Sequence, residues 1–195
     1  MKNIGLFFGT FNPVHIGHLI LAHHWLEYTQ MDEVWFVVTP QSPFKTKQSL
    51  LDNHHRHQLL LEAIEPYPKF SVSTIEFGMP QPNYTAHTLV ALEEKYSGKY
   101  TFSLLMGADN LTHLHKWNNA SFILEHYPIY VYPRLDTTSL PKEYKNHASV
   151  HWLDAPVVEI SSSFIRAAIA QGHSVQPYLP EAVWTYIDRM NFYRS

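Results

Sequence analysis

The stretch that decides the fold is GTFNPVHIGH, residues 9–18, which directly follows the apolar run IGLFF at residues 4–8. Gly9 permits a tight turn and a close approach of the backbone to a ligand. Pro13 stiffens the loop, and a helix is predicted to begin at Ile16. A short strand, a glycine turn and a helix start in this order form a place where an anion can bind, because the first N–H groups of a helix are unpaired.

Two histidines, His15 and His18, stand three residues apart at the start of this helix. Side chains at that spacing lie on one face of a helix, so both imidazoles can donate hydrogen bonds toward the same phosphate oxygens. Taken alone, an H-x-x-H pair is more often a helix cap followed by a surface histidine. The surrounding sequence must therefore decide between these two interpretations.

Strand-length and helix-length segments alternate along the rest of the chain. The predicted strands are residues 4–8, 34–38, 70–73, 100–106, 129–132 and 150–153. The predicted helices are residues 18–28, 53–64, 87–96, 120–126, 162–170 and 181–190. This alternation predicts an α/β fold, a Rossmann-like parallel sheet with helices on both faces, in a single domain over residues 1–195. Such sheets bind ligands outside the carboxyl ends of their strands, where the strand order reverses.

Composition excludes several classes of function. Fourteen Lys and Arg stand against 17 Asp and Glu, for a formal charge of −3, so we expect no broad cationic surface and no binding of long nucleic acid. The chain has no cysteine, which excludes disulfides, thiolate nucleophiles and Cys-based metal sites and fits a reducing cytoplasm. No apolar stretch is long enough to cross a membrane. The oligomeric state is open, a homo-oligomer included.

A second anion site is predicted at ISSSFIR, residues 160–166, where the last strand gives way to a helix. Serine hydroxyls and free backbone N–H groups at a helix N-terminus favour phosphate, and Arg166 lies one turn further along. Ile160, Ser162 and Ser163 complete this candidate site. On its own the motif is better explained as an ordinary serine cap, with Arg166 paired to a carboxylate.

Together these two motifs carry a family resemblance. GTFNPVHIGH resembles the T/H-x-G-H signature of the nucleotidyltransferase superfamily, which includes the HIGH element of class I aminoacyl-tRNA synthetases, and ISSSFIR resembles its ISSTxxR signature. Three intermediate segments, SPFKTKQSLLDNHHRHQLLLEAI, NYTAHTLVAL and MGADNLTHLHKWNN, resemble those of nicotinate-nucleotide adenylyltransferases in the same order. The resemblance thus covers nearly the whole chain.

The resemblance implies a fold of the nucleotidyltransferase type and a reaction between ATP and nicotinate mononucleotide, with Mg²⁺, that gives nicotinate adenine dinucleotide and pyrophosphate. His15, His18 and Arg166 then match the catalytic residues. The residues that match ATP-binding positions are Gly9, Thr10, Phe11, His15, His18, Gly107, Asp109, Ile160, Ser162, Ser163 and Arg166. The residues that match mononucleotide-binding positions are Lys45, for the phosphate, and Thr85 and Trp117, for the nicotinate ring.

Several alternatives remain open at this stage. Nicotinamide mononucleotide is the second candidate acceptor, and phosphopantetheine is a weaker one because the middle motifs fit it poorly. Two alternatives belong to a different class of function, a non-catalytic nucleotide-binding module and an RNA-binding domain. Single residues also have alternative roles. Trp117 could be a core residue and Asp109 a helix cap, and Lys47 could contact the phosphate in place of Lys45. His87 departs from the acidic or amide residue of many relatives and receives no role. The remaining histidine groups, residues 54–57 and 113–115, are more often solvated than metal-binding, so no metal ligand is predicted.

Overall fold

Helices and strands alternate along the chain in the computed structural model, which describes residues 1–40, 50–135 and 142–194. The strands are β1 (Lys2–Gly9), β2 (Glu33–Val38), β3 (Phe70–Ser73), β4 (Tyr100–Gly107), β5 (Ile129–Tyr132) and β6 (Val150–Trp152). The α-helices are α1 (Ile16–Tyr28), α2 (Asn53–Ile64), α3 (Thr85–Tyr96), α4 (Ala108–Thr112), α5 (Ala120–His126), α6 (Lys142–Lys145), α7 (Ser162–Ala170) and α8 (Glu181–Arg189). Short 3₁₀ turns lie at Ile75–Gly78, Leu114–Lys116 and Gln176–Tyr178.

The six strands form one parallel sheet in the order β3-β2-β1-β4-β5-β6. Strand β1 pairs with β2 on one side, with Gly9 opposite Val38, and with β4 on the other, with Phe7 opposite Leu105. The chain thus builds outward from β1 in one direction and then from β4 in the other. The carboxyl ends of β1 and β4 mark the point of reversal, which is where a ligand site is expected.

Side chains alternate between the two faces of the sheet and enter two separate apolar cores. Ile4 and Leu6 of β1 belong to the core covered by α3, α4 and α5, whereas Phe7 belongs to the core covered by α1, α2, α7 and α8. Helix α1 lies especially close to β1, because a Cβ on Gly5 would come within 2.5 Å of the Trp25 ring. Burial of both faces explains why the central strand β2 and the inner parts of β1 and β4 are continuous apolar runs, whereas the edge strands β3 and β6 include polar residues.

The predicted α/β fold is confirmed, and most predicted elements agree with the observed ones to within two residues. Helix α1 begins at residue 16, as the loop motif indicates and two residues before the start of the predicted apolar repeat. Helix α3 begins at residue 85, two residues before its predicted start, while β6 and α8 end one residue before the predicted end. Helices α4 and α6 and the 3₁₀ turns were not predicted. They are too short to show an apolar repeat.

Candidate active site

The loop from Gly9 to His15 and the first turn of α1 place the two motif histidines side by side. His15 is the N-cap residue of α1 and His18 its third helical residue, and their ring centroids are 3.7 Å apart. The His15 backbone N–H donates to His18 Nδ1 over 3.2 Å. His15 therefore does hold the cap position, but His18 is half-buried against Phe11, at 5.1 Å between ring centroids, and is not a free surface residue.

Burial fixes the charge of His15. Loss of hydration and, to a smaller extent, the positive charge of Arg134 together lower the pKa of His15 from 6.5 to about 3. The imidazole is therefore neutral at pH 7. A neutral imidazole still has one N–H to donate to a phosphate oxygen.

The loop owes its shape to two residues with unusual backbone or packing. Phe11 has a φ of 45°, and its ring is buried in the core, so only its backbone is available at the surface of the loop. A Cβ on Gly9 would come within 2.9 Å of this ring. Gly9 is thus needed because it lets Phe11 fold back over the end of β1.

The second motif lies directly against the first, although the two are about 150 residues apart in the chain. Ser162 Oγ donates to the Pro13 carbonyl over 2.8 Å, and Arg166 donates to the Asn12 carbonyl over 2.8 Å. Ser161 caps α7 by accepting the Phe164 N–H at 3.1 Å. The structure therefore brings Ser162, Ser163, Arg166 and both histidines to one place, and the alternative that Arg166 pairs with a carboxylate is wrong for the described part of the chain.

Asn12 is the junction that holds this arrangement. It is buried, and its side-chain oxygen accepts from the Leu51 N–H at 3.2 Å and from the Tyr193 hydroxyl at 2.8 Å. Tyr193, near the end of the chain, is itself largely enclosed, and burial raises the pKa of its hydroxyl well above the usual value. Through its hydrogen bond to Asn12, Tyr193 thus helps hold the loop of residues 9–15 in place.

The carboxyl end of β4 provides the third part of the site. Gly107 is the N-cap of α4, and a Cβ there would collide with Asp109 Oδ1 and lie 3.2 Å from the Tyr132 ring. Asp109 is exposed and lies 3.8 Å from Arg134 Nε. The alternative that Asp109 caps the helix is wrong, because Gly107 is the N-cap residue and no side chain caps α4. Arg134 also donates to the Val158 carbonyl at 3.3 Å, which links β5 to the segment before Ile160.

A cavity opens beside the reversal point of the sheet, and its wall includes several of the predicted residues. Gly9 and Thr10 line it at the end of β1, Thr85 at the start of α3 and Trp117 after the second 3₁₀ turn. Trp117 is half-buried and packs against one core as well as facing the cavity. Thr85 is the first residue of α3, where backbone N–H groups have no partner within the helix. A carboxylate can be accepted there.

Comparison with known proteins assigns the family. Residues 6–168 match the model of the cytidylyltransferase-like family. The chain is 53% identical over 192 residues to a protein of Flavobacterium psychrophilum named "Probable nicotinate-nucleotide adenylyltransferase", with 98% of this chain and 99% of that one covered. A protein of the same name from Christiangramia forsetii is 51% identical, with 99% of both chains covered.

The chain belongs to the nicotinate-nucleotide adenylyltransferase family. The resemblance expected from the motifs is therefore confirmed.

Solved structures agree on the fold of this family. Plasmodium falciparum nicotinic acid mononucleotide adenylyltransferase complexed with NaAD superposes with a TM-score of 0.83 at 20% identity, covering 99% of this chain and 98% of that one. The same enzyme complexed with APC gives a TM-score of 0.81 over the same shares. At this identity the likeness concerns the fold, and it confirms a nucleotidyltransferase-type sheet.

Some residues of this adenylyltransferase site fall outside the predictions from sequence. Lys45 and Lys47 lie outside the described residues. Arg56, Glu76 and Asn83, which the motif analysis did not select, are buried around the loop and the cavity. Arg56 carried a signal, because it occupies an apolar position of the α2 pattern together with Leu59 and Ala63. Tyr193 carried none, since nothing in an NFYRS ending indicates contact with residue 12.

Glu76 forms part of the inner wall of the cavity. Thr88 donates to its Oε1 at 2.7 Å, and Asn83 Nδ2 donates to its backbone carbonyl at 3.3 Å. Burial raises the pKa of the Glu76 carboxyl, although hydrogen bonds from Thr88 and Thr39 act in the opposite direction. This cluster stiffens the segment that leads into Thr85.

The described residues contain no group of three or more histidine or acidic side chains arranged to hold a metal. In the two histidine groups singled out from sequence, His55 is 3.0 Å from the Tyr186 hydroxyl and His113 is 2.9 Å from the Asp109 carbonyl. Among the helices of the described part, none has the length and apolar character needed to cross a membrane.

Proposed function

We propose that this chain, acting as one domain over residues 1–195, transfers the adenylyl group of ATP to nicotinate mononucleotide and releases nicotinate adenine dinucleotide and pyrophosphate. The observation that carries the proposal is the junction of the two motifs, where Ser162 and Arg166 donate to Pro13 and Asn12 beside the paired histidines. Whole-length identity above 50% to curated members of the family supports the same activity. The reaction is a step in NAD biosynthesis.

The chemistry needs no covalent intermediate on the protein. A phosphate oxygen of nicotinate mononucleotide attacks the α-phosphorus of ATP, the new P–O bond forms, and the bond from the α-phosphorus to the α,β-bridging oxygen breaks. Pyrophosphate leaves with that electron pair. Catalysis then comes from holding the two reactants in line and from stabilising the charge that develops on the departing oxygens.

His15, His18 and Arg166 are proposed to supply that stabilisation. The neutral His15 donates one hydrogen bond, and the adjacent His18 ring faces the same side of the loop. Ser162, Ser163 and the free N–H groups of α7 bind the β- and γ-phosphates, since the helix dipole favours an anion at this end. Ile160 precedes these serines and helps place them.

At the opposite end of ATP, Gly107 and Asp109 are proposed to approach the adenosine. The absence of a Cβ at Gly107 leaves room beside Tyr132, and Asp109 is held near Arg134. The Thr10 and Phe11 backbone contacts ATP between this point and the histidines. ATP would therefore lie across the carboxyl ends of β1 and β4.

The nicotinate ring is proposed to occupy the cavity. Trp117 offers an aromatic face for stacking on the pyridinium ring, and the Thr85 N–H at the start of α3 binds its carboxylate. An amide at this position would pair poorly with N–H donors, so nicotinate is preferred over nicotinamide. Lys45 is proposed to bind the mononucleotide phosphate.

Mg²⁺ is proposed to enter with ATP. Mg²⁺ commonly keeps several waters and takes few protein ligands, so its entry with ATP would not require a dedicated cluster of carboxylates on the protein. When bound, it neutralises charge on the triphosphate. We further propose a cytoplasmic location.

A pyrophosphate-release assay tests the function. The enzyme is incubated with ATP and Mg²⁺ together with nicotinate mononucleotide, nicotinamide mononucleotide or phosphopantetheine in separate reactions. We expect the highest kcat/KM with nicotinate mononucleotide. Release of pyrophosphate with none of the three would contradict the proposed enzymatic activity, and a preference for the nicotinamide form would overturn the proposed role of the Thr85 N–H.

A further inference from the structure

One buried arginine, Arg56 on α2, has no place in the chemistry above. Its side chain is fully enclosed, and its N–H groups are taken up by five oxygen acceptors. Nε donates to the Leu51 carbonyl at 3.0 Å, and the two terminal nitrogens donate to carbonyls of the residues that follow β1 and β2 and to an amide oxygen of the same helix. These acceptors are Thr10 at 2.7 Å, Thr39 at 2.8 Å, Pro40 at 3.4 Å and Asn53 Oδ1 at 2.5 Å.

All of these acceptors are neutral. Among the side chains that the structure describes, no carboxylate forms an ion pair with Arg56. Burial lowers the pKa of Arg56, and Tyr193 and Asp52 act on it in the opposite direction without forming an ion pair. Of the two internal segments outside the described residues, 41–49 contains no acidic residue and 136–141 contains one, Asp136. A buried charge without a counter-ion is costly, since buried charges are normally paired. Arginine cannot escape this cost by losing its proton.

The charge of Arg56 lies close to the proposed nucleotide site. Thr10 and Thr39 both line the cavity, and the Thr39 N–H donates to the Gly9 carbonyl at 2.9 Å, so the ends of β1 and β2 are joined there. The guanidinium lies immediately behind that junction and binds both carbonyls. A polyphosphate on the loop in front would supply a negative charge that the described side chains do not place beside Arg56, and attraction to a buried charge is screened less than in water.

We infer that Arg56 is a positioning residue for adenylyl transfer, which fixes the loop of residues 9–15 against the end of β2 and attracts the triphosphate from behind without touching it. The inference rests on the proposed function and names the polyphosphate as the group that balances the buried charge. Arg56 would thus have two effects, on the geometry of the loop and on the charge near the triphosphate, and different substitutions remove each of them.

The test compares Arg56→Lys, which keeps the charge but cannot reproduce the fork of donors, with Arg56→Met, which keeps the length but removes the charge. Arg189→Met, an exposed position on α8, is the matched control. Calorimetry measures the Kd for inorganic pyrophosphate with Mg²⁺, kinetics measure kcat and the KM for ATP, and thermal melting reports whether each variant is folded.

Arg56→Met is expected to raise the Kd for pyrophosphate at least tenfold, whereas Arg56→Lys should keep this Kd within about threefold and lower kcat at least tenfold. The control should match the wild type in all three measurements. Should Arg56→Met fail to fold, Arg56→Lys alone tests the inference, because its Kd for pyrophosphate should stay near the wild-type value while its kcat falls. Wild-type kcat in a folded Arg56→Lys, or wild-type pyrophosphate binding in a folded Arg56→Met, would overturn the inference, as would absence of pyrophosphate binding by the wild type.

The pyrophosphate measurement also keeps this inference separate from the proposed function. Binding of pyrophosphate does not depend on which acceptor the enzyme uses. If the wild type binds pyrophosphate but turns over none of the acceptors, the proposed function fails while the effect of Arg56→Met on binding is still decided.

Discussion

Acidification from pH 6.5 to pH 5 is expected to destabilise the fold through His15. Burial first, and the charge of Arg134 second, lower the pKa of His15 from 6.5 to about 3 in the folded chain. Between these values the unfolded chain binds more protons than the folded one. The stability linked to His15 is therefore fully present above pH 6.5 and is lost progressively as the pH falls toward 3.

The loss of unfolding free energy can be calculated from the same pH range, between the pKa values of about 3 and 6.5. Each pH unit within it costs up to about 1.4 kcal/mol, so the step from pH 6.5 to 5 costs about 2 kcal/mol of unfolding free energy. Other buried groups titrate as well: burial raises the pKa of Glu76, whose contribution has the opposite sign, and lowers that of His57. A comparison with His15→Gln isolates His15, because both proteins share the remaining groups.

Urea unfolding followed by tryptophan fluorescence at pH 6.5 and pH 5 measures the difference. The wild type should lose about 2 kcal/mol more than His15→Gln over this step. His23→Gln, an exposed change on the same helix, should follow the wild type. Equal losses in the wild type and His15→Gln would show that His15 is not held neutral by the fold, and the description of its role in phosphate binding would then be wrong.

Three further substitutions probe the site. His18→Ala should lower kcat by about 10² to 10³ while thermal melting stays close to that of the wild type, and near-normal turnover would remove His18 from catalysis. Trp117→Ala should raise the KM for nicotinate mononucleotide up to about tenfold, with Trp117→Phe between it and the wild type and the KM for ATP unchanged; equal KM values in all three proteins would contradict stacking. Tyr193→Phe removes the hydrogen bond to Asn12 and should cost about 1 kcal/mol of stability in urea unfolding, together with a lower kcat; unchanged unfolding would show that the bond contributes nothing.

Much of the fold follows from local pattern. The central strands are buried on both faces, so their inner parts are continuous apolar runs with a sharp end at a polar turn, as in residues 34–38 before Thr39. Helix starts are harder to predict because they depend on caps: α3 begins at Thr85 after a tyrosine, which is not a standard N-cap residue. Helix α4, with five residues, has no repeat for a pattern to reveal.

The site divides in the same way. The loop of residues 9–18 and the start of α7 are contiguous in sequence, and their chemistry is visible in the residue types. That Ser162 contacts Pro13 is a tertiary fact that no spacing contains. The contacts that Arg56 and Tyr193 make with the loop are harder still to predict from sequence. Arg56 donates to backbone carbonyls and Tyr193 to a single side-chain amide, and neither kind of acceptor defines a motif.

The most direct test of the central claim is identification of the product by mass spectrometry after incubation with ATP, Mg²⁺ and an equimolar mixture of nicotinate and nicotinamide mononucleotides. The account predicts nicotinate adenine dinucleotide as the main dinucleotide, formed in equal amount to the pyrophosphate released. A product dominated by the nicotinamide dinucleotide, or no dinucleotide at all, would contradict it.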